Sequence, residues 1–305
     1  MTAMPAFMFT DPGVDDTLAF SMIAAAPRID LVGACASAGN VPAPLGARNL
    51  SYVSSLLGGA VPLFRGRNVG PSRPMFDGRI AHGRWGLGWF RAPNAPAPVR
   101  SYRAIAEHLC DYDGITILST SPMTDLAATL RHRRVLRRIR RIVAMGGSAS
   151  VGNVTACAEF NIRFNPEAAA EVFRSGVPLD MVTLDLTQRI RFDSADLGFT
   201  RGERSELRRV FREALDFYFR FHLRYEGFRG CYVHDPTAAA AVIWPRLFQS
   251  RSVPASVETV SPVTYGMTVF DRRYRSRQNR SRVALTDSPD TGAVKERILA
   301  SLNEL

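Results

Sequence analysis

Three carboxylates lie within six residues near the start of the chain, in the segment Thr10-Asp11-Pro12-Gly13-Val14-Asp15-Asp16. Such side chains repel one another, and gathering them costs free energy unless a cation or a basic group neutralises them. The Pro-Gly pair predicts a tight turn that directs the three side chains towards one point. Oxygen ligands suit Ca²⁺ or Mg²⁺ better than Zn²⁺. The segment therefore indicates a divalent-cation site, with a helix N-cap at Asp15 or Asp16 as the alternative interpretation.

Two further polar groups occur where apolar runs end. His234 and Asp235 stand between a strand-like run and a helix-like segment at 237–243. The other group contains Asn153, Glu159 and Asn161. Each group alone is a weak signal, because a single histidine beside a helix start is more often structural than catalytic. Together the groups place carboxylates, carboxamides and an imidazole at predicted strand ends.

The elements that would position these groups alternate between short apolar runs and helical patterns. The predicted strands cover residues 6–9, 30–36, 61–64, 115–119, 142–145 and 179–184. The predicted helices between them cover residues 17–26, 45–57, 101–111 and 123–130. This alternation is typical of an α/β fold with a mostly parallel central β-sheet flanked by helices. Ligands bind beyond the carboxyl ends of the strands in such sheets, and the polar groups fall there.

The best helical pattern covers residues 201–225. Thr200 and Glu203 are spaced as a capping box at its start. Apolar and aromatic residues recur at spacings of three and four along one face, at Leu207, Phe211, Leu215, Tyr218, His222 and Tyr225. No internal repeat or proline-rich linker interrupts the chain, so we expect a single domain over residues 1–305.

The composition is that of an ordinary globular protein with a strong positive charge. The 305 residues carry a formal net charge of +11, and hydrophobic residues make up 46%. This apolar content excludes a disordered chain, and four cysteines are too few for a disulfide scaffold. Seven arginines within 131–141 and six within 272–282 suit either nucleic-acid contact or a solvated surface. Val135, Leu136 and Ile139 keep helical spacing in the first run, which favours an amphipathic helix with a solvated face.

Signals for a membrane or nucleic-acid partner are weak in the sequence. No basic residue precedes Arg28, so the charged start of a signal peptide is missing. The longest apolar stretch free of charge, 49–64, is shorter than the roughly 20 residues that a transmembrane helix needs. The arginine runs contain one aromatic residue, Tyr274, which argues against nucleic-acid binding by base stacking. We therefore expect a soluble, cytoplasmic protein that binds neither membranes nor nucleic acid.

The ordered set of motifs closely resembles the inosine–uridine-preferring nucleoside hydrolase family, nearly from end to end. Besides the acidic segment, the matching motifs are Gly39-Asn40, His82-Gly83, Gly86-Leu87-Gly88, Ser119-Thr120-Ser121-Pro122-Met123-Thr124-Asp125, Met145-Gly146-Gly147, Gly152-Asn153, Ala158-Glu159-Phe160-Asn161, Pro166-Glu167-Ala168-Ala169, His234-Asp235-Pro236 and Gly266-Met267-Thr268-Val269. One such motif is a weak signal, whereas their order along the chain is specific. The resemblance implies hydrolysis of the N-glycosidic bond of ribonucleosides to free base and ribose, by a homo-oligomer (dimer or tetramer).

The resemblance also implies roles for individual residues. It implies a Ca²⁺ ion held by the carboxylates of Asp11, Asp16 and Asp235 and by the backbone carbonyl of Thr120. Asp11 is also the implied general base on the attacking water, and His234 is the implied acid that protonates the departing base. The residues implied to lie around the ribose are Asp15, Asn40, Met145, Asn153, Glu159 and Asn161.

These residue types suit the implied chemistry. Cleavage of an N-glycosidic bond builds positive charge on the sugar, as in other glycoside hydrolysis. Anionic and amide oxygens stabilise that charge, and a divalent ion lowers the pKa of a water molecule. Asp11 can then accept the proton of the water, while His234 improves the leaving group.

Aromatic and imidazole side chains are expected around the nucleobase. Tyr218 and His222 lie one helical turn apart, shortly before His234. We expect both to contact the base, with packing in the core as the alternative. His82 lies in the glycine-rich segment 66–89, which is predicted to be either a lid over the site or a static surface loop.

One departure from the family pattern lies beside the acidic segment. Phe9 stands where the family usually has an aspartate, two residues before Asp11. A catalytically weakened or inactive relative that binds nucleosides or ribose is therefore the alternative function. The same residue argues against a Mg²⁺-dependent phosphatase with an Asp-x-Asp motif, because phenylalanine cannot attack a phosphoryl group.

Overall fold

The computed structural model describes residues 3–94, 97–200, 205–273 and 281–305. Within these residues the strands are β1 (Met4–Thr10), β2 (Ile29–Ala36), β3 (Leu63–Arg65), β4 (Val99–Ser101), β5 (Ile115–Ser119), β6 (Ile139–Met145), β7 (Leu179–Val182), β8 (Arg191–Phe192), β9 (Cys231–Tyr232), β10 (Gln249–Val257), β11 (Thr268–Phe270) and β12 (Arg282–Asp287). The α-helices are α1 (Val14–Ala25), α2 (Ala43–Leu56), α3 (Arg79–His82), α4 (Ile105–Leu109), α5 (Thr124–Leu130), α6 (Arg133–Leu136), α7 (Phe160–Phe164), α8 (Pro166–Phe173), α9 (Leu184–Thr187), α10 (Glu206–Tyr225), α11 (His234–Ile243) and α12 (Thr291–Asn303). The predicted alternation of strands and helices is confirmed.

One large sheet organises the described residues, and its order creates a crevice. The strands follow each other as β11-β10-β12-β7-β6-β5-β1-β2-β3-β4. From β12 to β4 all neighbours are parallel, whereas β10 is antiparallel to both of its neighbours. The chain proceeds from β1 outward to β4, then returns to β5 on the other side of β1. β1 and β5 therefore form a topological switch point, where α/β sheets bind their ligands.

Side chains alternate across the central strand β1. Ala6 and Met8 join the core under α1, α2, α10, α11 and α12, while Phe7 and Phe9 join the core under α4, α5 and α8. Burial on both faces explains why this strand is a continuous apolar run, as central parallel strands are. The packed strand thus holds Asp11, the residue that follows it, at a fixed position.

Helix α10 begins later than the capping pattern predicts. It covers Glu206–Tyr225, and the hydroxyl of Ser205 caps it by accepting a backbone hydrogen bond at 3.4 Å. Thr200 instead ends a 3₁₀ helix, Leu197–Thr200, to which its own hydroxyl donates. Glu203 lies outside the described residues. The predicted capping box is therefore wrong for the start of this helix, because the chain makes a separate turn before it.

One face of α10 is buried as its spacing predicts. The buried residues of the predicted face are Leu207, Phe211, Leu215, Tyr218 and His222. Tyr225, in the last turn, is 54% exposed, contrary to its place in the pattern. Within the described ranges no helix, α10 included, is long and apolar enough to cross a membrane.

The first arginine run is not the continuous amphipathic helix that its spacing predicts. Arg133–Leu136 forms a single helical turn, and Ile139 already begins β6. Val135 and Ile139 are buried while the arginines of the run remain exposed or half-buried, several of them paired with carboxylates. The solvated interpretation of this run fits these positions. Residues 274–280 of the second run, including Tyr274, lie outside the described residues.

Candidate active site at the carboxyl edge of the sheet

Asp16 is the centre of the acidic turn that follows β1. Its Oδ1 accepts hydrogen bonds from the hydroxyls of Thr10 and Thr120, at 2.5 and 2.8 Å. Its Oδ2 accepts from the Gly13 amide at 3.1 Å and from Asn40 Nδ2 at 3.0 Å. The Gly13 contact is also part of the capping of α1, in which Asp16 is the third residue. The interpretation of Asp15 or Asp16 as the N-cap is therefore wrong, because Gly13 is the N-cap of α1 and Asp16 bonds back to it from the third position while it also belongs to the carboxylate cluster.

Three buried carboxylates converge at this turn. One oxygen each from Asp15, Asp16 and Asp235 lie within 4.8 Å of one another. Asp235 is the second residue of α11, far along the chain, so the fold brings it to the acidic turn. Asp11 stands beside this set. Its Oδ2 accepts from the Asn40 amide at 2.7 Å, and its Oδ1 is buried without a hydrogen-bond partner.

Burial and mutual repulsion disfavour the ionised form of these acids and so raise their pKa values. Burial and the neighbouring Asp16 carboxylate raise the pKa of Asp15 to about 7. The same two causes raise the pKa of Asp11 well above its usual range. Burial, followed by the charges of Asp15 and Asp16, raises the pKa of Asp235 in the same direction. Such a group is costly to keep ionised without a neutralising partner.

The residues of the turn fit a hard cation. The converging ligand atoms found among the described residues are carboxylate oxygens, and the Oδ1 of Asp11 is a buried acceptor with no donor in that part of the chain. Gly39 shows how closely the backbone approaches this acid, since a Cβ at that position would lie 1.9 Å from Asp11 Oδ2. An oxygen-only, anionic donor set is the environment that Ca²⁺ or Mg²⁺ prefers in proteins.

A second wall of the site follows β6. Glu159 accepts hydrogen bonds from the amides of Asn161 and Gly147, both at 2.9 Å, and burial raises its pKa. Asn161 Nδ2 in turn donates to the carbonyl oxygens of Thr120 and Met145, at 3.1 and 3.3 Å. This network joins the carboxyl ends of β5 and β6. It fixes the polar side chains of the wall before any ligand arrives.

Two imidazoles approach the acids from other elements. His82 Nδ1 accepts a hydrogen bond from the Val14 amide at 3.1 Å and lies 3.9 Å from Asp15 Oδ1. His234 Nδ1 lies 2.7 Å from the hydroxyl of Thr187. Burial lowers the pKa of His82 to about 4, and burial with two neighbouring imidazoles lowers the pKa of His234 to about 3. Both rings are therefore neutral near neutral pH in the protein without a bound ion.

Tyr218 and His222 differ in what they offer to a ligand. The Tyr218 ring stacks on His82 with a centroid separation of 5.3 Å. His222 is buried, and both of its ring nitrogens have backbone partners, the Tyr218 carbonyl at 2.9 Å and the Tyr232 amide at 3.4 Å. This geometry favours the packing interpretation for His222, whereas Tyr218 faces the cavity described next.

A cavity of ≈ 290 Å³ opens between these walls. The predicted site residues that line it are Asp15, Asn40, His82, Thr120, Met145, Asn153, Glu159, Asn161, Tyr218, His222, His234 and Asp235. Asp11 and Asp16 lie behind this surface and are fully buried. The segment 66–89, predicted to be a lid or a static surface loop, contributes α3 and is anchored at His82 by the Val14 contact, which favours a static element over a lid.

Several lining residues were missed by the sequence analysis. They are Phe76, Gly78, Ala81, Val154, Phe160, Gln188, Phe221, Tyr225, Glu226 and Tyr232. Phe221 and Tyr225 could have been found, because they lie three and seven residues after Tyr218 and so share its side of α10. Gln188 and Phe76 carry no local signal, since only the packing of distant segments brings them to the cavity.

Comparisons with known proteins agree with this geometry. The family model described as inosine-uridine preferring nucleoside hydrolase matches residues 6–296. A pyrimidine-specific ribonucleoside hydrolase, RihA, of Photobacterium profundum is 35% identical over 275 residues, which cover 88% of this chain and 89% of the relative. The protein of that name from an Escherichia coli strain is 33% identical over 299 residues, with 96% of each chain covered.

A solved structure extends the likeness to three dimensions. The purine-preferring ribonucleoside hydrolase from Gardnerella vaginalis superimposes with a TM-score of 0.86 at 29% identity, covering 99% of this chain and 100% of its own. A plant nucleoside hydrolase shares the fold with the same TM-score at 23% identity. The acids at the switch point, the matched family model and these relatives agree. This chain belongs to the inosine-uridine preferring nucleoside hydrolase family, whose members are N-glycosidases.

Proposed function

We propose that this protein hydrolyses the N-glycosidic bond of ribonucleosides to free base and ribose with the help of a bound Ca²⁺ ion. The observation that carries the proposal is the position of buried, converging carboxylates at a cavity of ≈ 290 Å³ with amide, imidazole and aromatic walls. The carboxylates and amides suit the hydroxyls of a ribose. The aromatic rings suit the flat face of a base.

Asp11, Asp16 and Asp235 would hold the ion together with the carbonyl of Thr120. That carbonyl accepts one hydrogen bond, from Asn161 at 3.1 Å, and retains a second lone pair. Asp15 lies in the same converging set and is proposed to accept a hydrogen bond from a ribose hydroxyl. When bound, Ca²⁺ neutralises the carboxylates, orients the ribose diol and lowers the pKa of a water molecule.

Asp11 is the proposed general base. The amide of Asn40 fixes its Oδ2 at 2.7 Å, while Oδ1 has no protein donor and is available to accept a proton. Burial and the Asp16 charge raise the pKa of Asp11 in the site without an ion, and a bound Ca²⁺ would lower it again.

The ribose is proposed to lie between the acidic turn and the wall after β6. The proposed contacts are Asp15, Asn40, Met145, Asn153, Glu159 and Asn161. Glu159 and Asn161 are held by backbone amides and carbonyls, so they do not reorganise when positive charge develops on the sugar. Fixed negative and amide dipoles around a developing cation are an effective form of catalysis.

His234 is proposed to assist the departing base. Thr187 engages its Nδ1 at 2.7 Å, which leaves Nε2 for the base. Because burial lowers the pKa of His234 to about 3, the ring is neutral, and its Nε2–H is proposed to stabilise the departing base by donating a hydrogen bond to it. Tyr218 and His82, stacked on each other, are proposed to face the base, and His222 is proposed to position Tyr218.

A substrate panel tests the proposal directly. Ribose release is measured from inosine, adenosine, guanosine, uridine and cytidine with protein loaded with about one Ca²⁺ per chain, the stoichiometry of a single oxygen-ligand site. We expect turnover, with uridine and cytidine favoured because two full-length relatives are named pyrimidine-specific. Asp11→Ala should abolish turnover, whereas Asp113→Ala, an exposed partner of Arg138, should leave it unchanged. Retention of most activity by Asp11→Ala would contradict the proposed mechanism.

Phe9 favours one second candidate function. It is fully buried, with its ring centroid 5.1 Å from that of Phe7, at the place where the family usually has an aspartate. A relative with weakened or absent catalysis would bind nucleosides or ribose in the same cavity. Calorimetric binding of uridine without any ribose release from the five nucleosides would support this candidate over the hydrolase.

A further inference from the structure

Three arginines surround Trp85, outside the cavity of the candidate active site. The guanidinium carbons of Arg48, Arg84 and Arg91 lie 5.7, 5.0 and 4.5 Å from the centroid of the indole ring. Any two of these carbons are therefore at most about 11 Å apart. We call Arg48, Arg84, Trp85 and Arg91 the Trp85 cluster.

The positive charge of the Trp85 cluster has no neutralising partner in the described part of the chain. There, none of the three guanidinium groups lies within 4.0 Å of a carboxylate oxygen. The Nε and Nη2 of Arg48 are buried and lack a hydrogen-bond partner. Buried donors without acceptors are costly, and contact with an indole compensates only part of that cost. The cluster therefore has uncompensated positive charge and unsatisfied donors, which a bound anion would neutralise and satisfy.

We propose that the Trp85 cluster binds a phosphate group, supplied either by inorganic phosphate or by a phosphate monoester. Guanidinium groups present planar forks of N–H donors that match phosphate oxygens. Arg48 also lines a neighbouring groove of ≈ 430 Å³ with Arg65, Arg100 and Ser101, but Arg84, Trp85 and Arg91 are not among the residues that line it. The donors that an anion would meet at the cluster itself are therefore those of the exposed Arg84 and Arg91 side chains.

The contacts of Trp85 favour a small anion over a nucleic-acid strand. Binding of single strands depends on aromatic faces on which bases stack. Three guanidinium groups already lie around the Trp85 ring, which therefore offers little open face to a base. The exposed guanidinium groups of Arg84 and Arg91, in contrast, have no carboxylate partner among the described residues and can donate to the oxygens of a small phosphate.

A phosphate at this position would join two elements that support the active site. Arg48 belongs to α2, and Arg84 and Arg91 belong to the segment after α3. The side chain of Asn49 already links these elements, since its Nδ2 donates to the Trp85 carbonyl at 2.7 Å. This segment directly follows His82, the last residue of α3, which accepts a hydrogen bond from the Val14 amide. The bound anion would thus hold α2 and the His82 segment together.

Titration calorimetry with inorganic phosphate, ribose 5-phosphate and uridine 5′-monophosphate tests the proposal on the Ca²⁺-loaded protein without excess free Ca²⁺. The variant is Arg84→Gln/Arg91→Gln, which changes two exposed side chains. The matched control is Arg28→Gln/Arg246→Gln, which also removes two exposed positive charges but lies outside the cluster. We expect wild type and control to bind inorganic phosphate equally, and the cluster variant to bind it at least tenfold more weakly. A monoester that binds more tightly than inorganic phosphate would identify the monoester as the source of the group.

Three outcomes would overturn the proposal. The first is failure of the wild type to bind all three phosphate compounds at millimolar concentration. The second is binding by the cluster variant as tight as that by the control, which would assign the phosphate to another site such as the catalytic cavity. A single-stranded oligonucleotide could bind while the three small compounds do not, which would assign the cluster to nucleic acid. Trp85 fluorescence gives a second readout, because an anion that engages its arginine neighbours should change the emission of the wild type and not of the cluster variant.

Discussion

At the level of single residues, the acidic turn combines helix capping with the assembly of like charges. Asp16 is oriented by hydroxyl, amide and backbone donors, so its position does not depend on an ion. Asp15 and Asp235 have less support, and burial followed by repulsion from the neighbouring carboxylates raises their pKa values. The turn is thus prepared to bind a cation and is destabilising without one.

The variant Asp235→Asn separates these two effects. It removes one charge from the cluster at nearly constant volume, so we expect the metal-free variant to be at least as stable as the metal-free wild type. The increase in melting temperature on adding Ca²⁺ should become smaller, and kcat should fall by more than about a hundredfold, beyond what is typical for outer-shell partners of a metal. Differential scanning fluorimetry with and without a chelator, together with ribose release, measures all three.

Asp216→Asn is the matched control for this variant. Asp216 is exposed and pairs with Arg220 within α10, so its loss should change stability and activity little. Equal effects of the two substitutions on the Ca²⁺-dependent stabilisation would contradict a site at the turn.

The burial of His222 leads us to expect that the free energy of unfolding depends on pH. Burial lowers its pKa to about 4 in the folded protein, compared with about 6.5 when exposed. The stability that it contributes as a neutral ring is therefore present above pH 6.5 and is lost as the pH falls towards 4. In urea unfolding, the advantage of the wild type over His222→Gln should shrink by about 2 kcal/mol between pH 7.5 and 5. A constant difference across this range would show that the imidazole is not kept neutral by burial.

At the level of elements, the backbone after β2 approaches the turn after β1 closely enough to exclude any side chain. Gly39→Ala would bring a Cβ to 1.9 Å from Asp11 Oδ2 and so displace the proposed base. We expect kcat/KM to fall on the order of a hundredfold, because small displacements of a catalytic group have effects of that size. Gly70→Ala is the control, since a Cβ there meets nothing within 4 Å, and its activity should be unchanged. Steady-state ribose release compares the two variants.

At the level of the whole molecule, the positive charge and the candidate site are separate features. The chain carries +11, yet the groups that converge at the cavity are mostly carboxylates. Ribonucleosides are largely uncharged, so long-range attraction should contribute little to their capture. We expect kcat/KM for uridine to change less than about twofold between 50 and 500 mM NaCl, whereas phosphate binding at the Trp85 cluster should weaken over the same range. A large decrease in kcat/KM with salt would show that surface charge takes part in turnover.

The surface arginines are likewise separate from the candidate active site. Several pair with carboxylates of their own surroundings, as Arg131 does with Glu171 and Arg138 with Asp113. Exposed pairs of this kind contribute little to stability. Assembly into a homo-oligomer stays a prediction, which sedimentation of the purified protein would test.

Local patterns in the sequence determined the α/β architecture, the buried face of α10 and the acidic turn, because each depends on the residues of one segment. Ordered motifs, through family resemblance, added the metal role expected of Asp235 and the expectation that Glu159 and Asn161 lie around a ribose. Tertiary structure alone decided that Asp15 joins Asp16 and Asp235 in the converging set while Asp11 stands beside it, that Phe76 and Gln188 reach the cavity, and that Arg48 meets Arg84 and Arg91 at Trp85. The physical reason is distance along the chain. A hydrophobic period reports which face of an element is buried, but only the order of strands in the sheet decides which distant side chains share one end of it.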